Sequence, residues 1–151
     1  MAFQERQRVE VCVRIETLPT SYYAGNIISV LNRNEYIVRY ETRWKPNNST
    51  ELLAEVVKEA DVRPFPPTPD VIPTIYQNGD RVDVYYGGAW RIGTVLNRVF
   101  PLYKYNVRLE NSGFNLLCSF YRIRTHQEWI NGNWITPAAL PPLPPPVPRW
   151  R

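Results

Sequence analysis

At 151 residues, with 44% hydrophobic and 13% aromatic side chains, the chain has too much apolar matter for disorder and enough length for one medium or two small domains. No apolar run approaches the ~18–20 residues that a membrane span needs, and MAFQERQRVE lacks the apolar core of a signal peptide. The net charge of +4 raises nucleic acid as a partner, but nine basic and nine acidic residues mix through 1–68, and seven and five through 69–136. A solvated mixed face is expected, with weak phosphate binding at most.

Short alternating runs separated by turn residues come first. Val9–Ile15, Tyr22–Leu31 and Tyr36–Arg43 read as strands, the last two joined through the polar turn Asn32–Asn34. The stretch Ser49–Asp61 carries Leu52, Leu53, Val56, Val57 and Ala60 at helical spacing, with Ser49 or Thr50 as a cap. It is either a short helix or a strand broken by a turn. Prolines from Pro64 to Pro69 then stiffen an extended linker.

Beyond the linker the pattern returns. Arg8-Val9-Glu10-Val11 recurs as Arg81-Val82-Asp83-Val84, Tyr22–Ile27 as Trp90–Val95, Tyr36–Glu41 as Tyr105–Glu110, and Val62-Arg63 as Ile123-Arg124. Order is kept while the offset drifts from 73 to 61, as when only loops change length. This predicts two tandem copies of one fold. Second-copy strands are expected at Arg81–Tyr86, Ala89–Val99, Lys104–Glu110 and Asn115–Ile123, with Gly87-Gly88 as a turn. Four or five short strands in about sixty residues suggest a small barrel, and units of this size gain from packing together.

Trp129 and Trp134 flank Asn131-Gly132, which predicts a closing hairpin whose tryptophans cover the seam between the copies. The expected organisation is a first domain at 3–66, a linker at 67–74, a second domain at 75–136 and an extended proline-rich tail at 137–151.

In an antiparallel hairpin the start of one strand lies beside the end of the next. Tyr22, Tyr40, Trp44 and the carboxylate of Glu41 are therefore expected at one rim, where aromatic faces and an acid suit a methylated ammonium ion. Tyr23, Tyr85, Tyr86 and Trp90 are weaker candidates, with Trp90 expected at the interface between copies. A basic peptide also needs acids, and Glu10, Glu16, Asp80, Asp83, Glu110 and Glu128 lie near strand ends and loops. An extended peptide in the groove between copies is the expected mode.

Catalysis is not expected. His126 is the one histidine and falls within the repeat pattern; Cys12 and Cys118 lack metal-ligand spacing and read as buried reduced thiols of an intracellular protein. No phosphate loop or nucleophile motif appears, so no cofactor or metal is implied.

Gly79-Asp80-Arg81-Val82-Asp83-Val84, Gly88–Val95, Tyr105-Asn106-Val107-Arg108 and Ile123–Trp129 together resemble the plant Agenet domain, a Tudor-like member of the five-stranded SH3-like barrels. The first copy is similar but looser, with Arg6-Gln7 in place of Gly-Asp. The resemblance spans about residues 3 to 135. It implies a mainly β fold of two tandem Tudor-like barrels packed together, a short helix being possible in the first. It also implies a nuclear chromatin reader, part of a longer array of such pairs. Paired Agenet proteins include readers of histone H3 dimethylated at lysine nine, so a methylated H3 tail, di- or trimethylated there, is the implied partner, with a role in heterochromatin and gene silencing. In such readers the cage uses an aromatic early in the second strand and others near the end of the third. In the first copy these are Tyr22, Tyr40 and Trp44. The second copy offers Trp90, Leu109 and Ser112, and Leu109 has no aromatic face. The competing expectation is a Tudor-like module that stacks RNA or DNA bases on exposed aromatics.

Overall fold

The computed structural model describes residues 3–68, 75–100, 103–138, 141 and 144. Most of the 67–74 linker and of the 137–151 tail lie outside the described residues.

The first copy contains β1 (Arg8–Val13), β2 (Ser21–Asn32), β3 (Glu35–Lys45), β4 (Asn48–Lys58), a single 3-10 turn at Glu59–Asp61, and β5 (Val62–Arg63). β1 pairs antiparallel with both β2 and β5, and β2, β3 and β4 form a meander. The second copy repeats this order with β6 (Arg81–Tyr86), β7 (Ala89–Val99), β8 (Lys104–Leu109), β9 (Asn115–Ser119), a 3-10 turn at Phe120–Arg122, and β10 (Ile123–Thr125). There β6 pairs with β7 and β10, and β7, β8 and β9 form the meander. The fold is mainly β, two Tudor-like units in tandem.

Of the two readings of Ser49–Asp61, the strand followed by a turn is the one adopted. The edge of β3 offers unpaired backbone groups, and β4 satisfies them, with Ile37 opposite Val56 and Tyr36 opposite Val57. Burial alternates there, Val57 buried and Val56 exposed, so the helical spacing of the leucines and valines was coincidental.

Each copy has its own core. Val9, Val11, Ile27, Tyr36, Val38, Tyr40 and Val62 fill the first; Val82, Val84, Val95, Tyr105, Val107, Leu109 and Ile123 fill the second. The same device closes the base of both. The Tyr36 ring packs edge-on against Phe3 at 5.8 Å and its hydroxyl accepts from the Phe3 amide at 3.1 Å. Tyr105 does the same for Tyr76, at 5.5 and 3.1 Å. The strand crossings are also copied. A Cβ on Gly25 would sit 2.6 Å from Val38 Cγ1 and 2.9 Å from the Arg39 carbonyl oxygen, and one on Gly93 would sit 2.6 Å from Val107 Cγ1 and 2.9 Å from the Arg108 oxygen. Only glycine permits that approach.

The copies join edge to edge. β2 and β7 pair antiparallel, Ser21 opposite Arg91 and Tyr22 opposite Trp90, so the ten strands make one continuous sheet. The Gly87-Gly88 turn, with φ of 62° and 81°, lies against β3, where the Thr42 hydroxyl donates to the Gly88 carbonyl at 2.6 Å. β11 (Glu128–Ile130) and β12 (Asn133–Ile135) form the closing hairpin, with Trp129 opposite Trp134 and their rings 5.1 Å apart.

Candidate functional site

Tyr22 and Trp90 occupy matching positions in the two copies and meet at the seam. Between them lies a cluster of buried charge. Glu10 and Asp83 are fully buried, and Arg63 is nearly so. Arg63 donates to Glu10 from Nε and Nη2 at 3.0 and 2.8 Å; Arg124 donates to Asp83 at 2.8 Å and reaches across to Glu10 at 2.8 and 3.1 Å. Each guanidinium also lies on its own copy's aromatic ring, Arg63 at 3.4 Å from the Tyr22 centroid and Arg124 at 4.3 Å from Trp90. His126, fully buried, places Nδ1 2.7 Å from Asp83, and Arg63 donates to the Gln127 carbonyl and sits 5.1 Å over Trp134. The hairpin thus covers the charge cluster. Burial pushes the Tyr22 phenol well above its ordinary range. Sequence reasoning missed this cluster, although its signal was present: an acid between two valines, and an arginine on the closing strand, in both copies.

A second concentration of aromatics and charge lies where β2, β3 and β4 of the first copy run side by side. Tyr23 and Tyr40 meet edge-on at 6.1 Å. The Arg43 guanidinium lies over both rings, 5.1 Å from Tyr23 and 4.6 Å from Tyr40, and pairs with Glu55 at 3.1 Å. Glu55 also accepts from the Tyr40 hydroxyl at 2.5 Å. Burial, then the hydrogen bond to Glu55, drives the Tyr40 phenol well up. Trp44, next along β3, is half exposed. This is a cation site of two aromatic faces and a carboxylate, held by a cation of the chain itself.

The four residues expected at one rim therefore fall into separate environments. Tyr22 belongs to the seam, beneath Arg63 and beside His126 at 6.3 Å. Tyr40 faces inward, into the core of the first copy. Trp44 is on the surface. Glu41 is engaged by Arg8 through two hydrogen bonds of 2.6 and 2.8 Å, which hold its carboxyl below the usual range. Alternation along β3 separates them, since Tyr40 and Glu41 point to opposite faces of the strand. Tyr23, Arg43 and Glu55 carry more of the geometry than the hairpin argument assigned them. Of the acids expected on a peptide, Glu10 and Asp83 are consumed at the seam. Asp80 caps a turn by accepting from the Gln77 amide at 2.8 Å, and Glu110 accepts from Thr20 across the seam at 2.8 Å. Glu16 is exposed and Glu128 partly so.

Among the described residues no group of three or more His, Cys, Asp or Glu could hold a metal ion, and no helix is long and apolar enough to cross a membrane. Two Tudor-like units are fused through a charge-filled seam, with an aromatic cation site in one. Residues 7–67 match the Agenet domain. Over 135 residues the chain is 29% identical to the protein AGENET DOMAIN (AGD)-CONTAINING P1 of Arabidopsis thaliana, covering 89% of this chain and 26% of that relative, so it spans about a quarter of the relative's length. The crystal structure of Arabidopsis thaliana AGDP1 AGD34 superposes with a TM-score of 0.80 at 21% identity, over 89% of this chain and 90% of that one. The ADCP1 tandem Agenet domain 3-4 gives 0.76 at 20%, over 90% and 89%. The first copy matches the Agenet domain by sequence, and the whole has the fold of a tandem Agenet pair.

Proposed function

We propose that the chain reads a methylated lysine on a histone tail, the H3 tail dimethylated at lysine nine in the first instance, through the aromatic cation site of the first copy, and that it acts in nuclear heterochromatin and gene silencing. The observation that carries this is Arg43 lying over Tyr23 and Tyr40 against Glu55, a guanidinium where a methylammonium would sit. Tyr40 stays in the proposed cage and exposed Trp44 is proposed to swing onto the bound lysine from the surface; Tyr23 and Glu55 stand where Tyr22 and Glu41 were expected, since Arg63 and Arg8 hold those two. Binding displaces Arg43 toward solvent, and a dimethylated lysine keeps one N–H to donate to Glu55. Trimethyl-lysine keeps the cation–π attraction but loses that bond.

The remaining acids fit a basic tail. A cavity of about 180 Å³ between the first copy and the hairpin is lined by Glu128 and by Asp61, which Arg14 holds at 3.0 Å, together with Arg63; a second basic group of the tail would compete with Arg14 there.

Calorimetric titration with H3 tail peptides, unmodified and mono-, di- and trimethylated at lysine nine, tests the reading. Methyl-dependent binding, lost in Tyr40→Phe/Tyr23→Ala and strengthened in Arg43→Ala, is expected. Equal, feeble binding of all four peptides to a folded chain overturns it for this ligand.

A further inference from the structure

The second copy carries a surface for which the first copy supplies an internal control. In both, the 3-10 turn after the fourth strand is tied to the preceding hairpin by one backbone hydrogen bond: Glu59 N–H to Asn34 O at 2.8 Å in the first, Phe120 N–H to Tyr103 O at 2.9 Å in the second. The framework is the same and the side chains are not. The first copy builds the turn from Glu59, Ala60 and Asp61, with Asn34 and Glu35 on the hairpin; the second builds it from Phe120, Tyr121 and Arg122, with Tyr103 and Lys104. Since the fold closes without aromatics in the first copy, packing does not demand them in the second.

They are also not packed. Relative exposure is 81% for Phe100, 65% for Tyr103, 52% for Phe120 and 69% for Tyr121. Three form a chain of edge contacts, Tyr103 to Phe120 at 6.0 Å and Phe120 to Tyr121 at 5.9 Å. Cations are interleaved. Arg98 lies 5.8 Å from the Phe100 centroid and 5.5 Å from Tyr103, its Nε without a hydrogen-bond partner, and Arg122 lies 6.0 Å from Tyr121. Hydrogen bonds with Ser119 and Arg122, then the charges of Arg122 and Lys104, pull the Tyr121 phenol below its ordinary value, so the local field is positive. The sequence agrees: 96–109 and 114–125 contain five arginines and lysines and no aspartate or glutamate.

We propose that Phe100, Tyr103, Phe120 and Tyr121, with Arg98, Lys104 and Arg122, form a binding site for single-stranded nucleic acid, bases stacking on the rings and phosphates pairing with the cations. Separated π-faces with cations between them match the alternation of base and phosphate along a strand. A second copy of this chain is a poorer occupant, because it would set Arg98, Lys104 and Arg122 against like charges. The site lies in the second copy and is independent of the methyl-lysine reading, which rests on the first.

The test is fluorescence anisotropy of the whole chain with labelled fifteen-nucleotide oligo-dT and oligo-U and a fifteen-base-pair duplex. Single strands should bind more tightly than duplex. With three phosphates neutralised, affinity should fall roughly twentyfold between 50 and 200 mM salt. The decisive variant is Phe120→Glu/Tyr121→Ala/Arg122→Asp, which gives the second turn the sequence the first one folds with. It should lose single-strand binding about a hundredfold, as stacking on two rings predicts, while its melting and its peptide titration stay unchanged. Phe120→Leu/Tyr121→Leu, which keeps every cation, should lose the preference for single strands. Equal binding of duplex and single strand overturns the proposal, as does full binding by the triple variant. Self-association of the wild type that the triple variant abolishes, without oligonucleotide binding, overturns it too and assigns the patch to a second copy.

Discussion

The two copies agree where they touch and differ where they face outward. At the seam, Glu10 and Asp83, Arg63 and Arg124, and Tyr22 and Trp90 are matching positions doing one job from two sides. At the aromatic site the match ends: Tyr23 and Tyr40 of the first copy correspond to Arg91 and Leu109 of the second, so only the first has the cation site. At the 3-10 turn the first copy is acidic and the second aromatic and basic. Within one chain, positions that stay alike report the fold, and those that diverge report separate tasks.

The seam is where that comparison breaks hardest. Arg63→Leu removes two of the hydrogen bonds to the buried Glu10 carboxylate and leaves Arg124 as its remaining cation; loss of one partner of a buried ion pair costs up to about 3–5 kcal/mol. Urea unfolding should show it. Arg124→Leu should cost less, because its side chain keeps 20% exposure against 5% for Arg63. Equal costs would mean that the seam is energetically symmetric despite unequal burial. A small cost for both would mean that water reaches Glu10.

Next come the glycines. Gly25→Ala and Gly93→Ala each force a methyl to 2.6 Å from a valine and 2.9 Å from a carbonyl oxygen. Overpacking of this kind costs about 1–3 kcal/mol. Because the environments match, thermal melts should show similar losses. A tolerated alanine in one copy alone would reveal a looser barrel there.

These two sets of residues also mark how far the sequence could be read. The repeat and its succession of strands were legible because each is a local pattern that recurs in the same order, while the close approach at the two glycines shows only once the strands are paired. The tryptophan hairpin over the seam was legible from Asn131-Gly132, whose φ values of 51° and 78° are those of a tight hairpin turn. The fate of individual rim residues was not. Which face Tyr40 or Glu41 takes depends on strand register and on partners far away in sequence, Glu55 for one and Arg8 for the other. Likewise Glu10 reads as a surface acid until β5 and the second copy bring two arginines to it.

Alkali should separate the copies less strongly. Burial raises the Tyr22 and Tyr40 phenols well above their ordinary value of 10.0, and raises Tyr76 as well. A phenol whose value is raised on folding stabilises the fold below its unfolded value, and that contribution is lost as pH climbs past 10 toward the raised value. Stability should therefore fall above about pH 10. Tyr40→Phe, which removes one such phenol, should flatten that fall. An unchanged alkaline limb would show that Tyr40 ionises outside the barrel.

The smallest expected difference is between the thiols. Burial pushes Cys118 of β9 up to about 11 and raises Cys12 of β1, where the charge of Arg14 opposes the effect. The thiolate is the reactive form, so at pH 8 both should label slowly with a disulfide reagent. Cys12 is half-buried while Cys118 is buried against Tyr105 and donates weakly to its carbonyl at 3.5 Å. Cys12 should therefore react first, and Cys118 only with local opening of the edge strand β9. Opening of an edge strand needs less than global unfolding. Labelling of Cys118 should consequently rise at urea concentrations that leave the Trp129–Trp134 hairpin's fluorescence native. Faster reaction of Cys118 without denaturant would place β9 partly open in the folded chain, and would make the second barrel, rather than the first, the looser of the two.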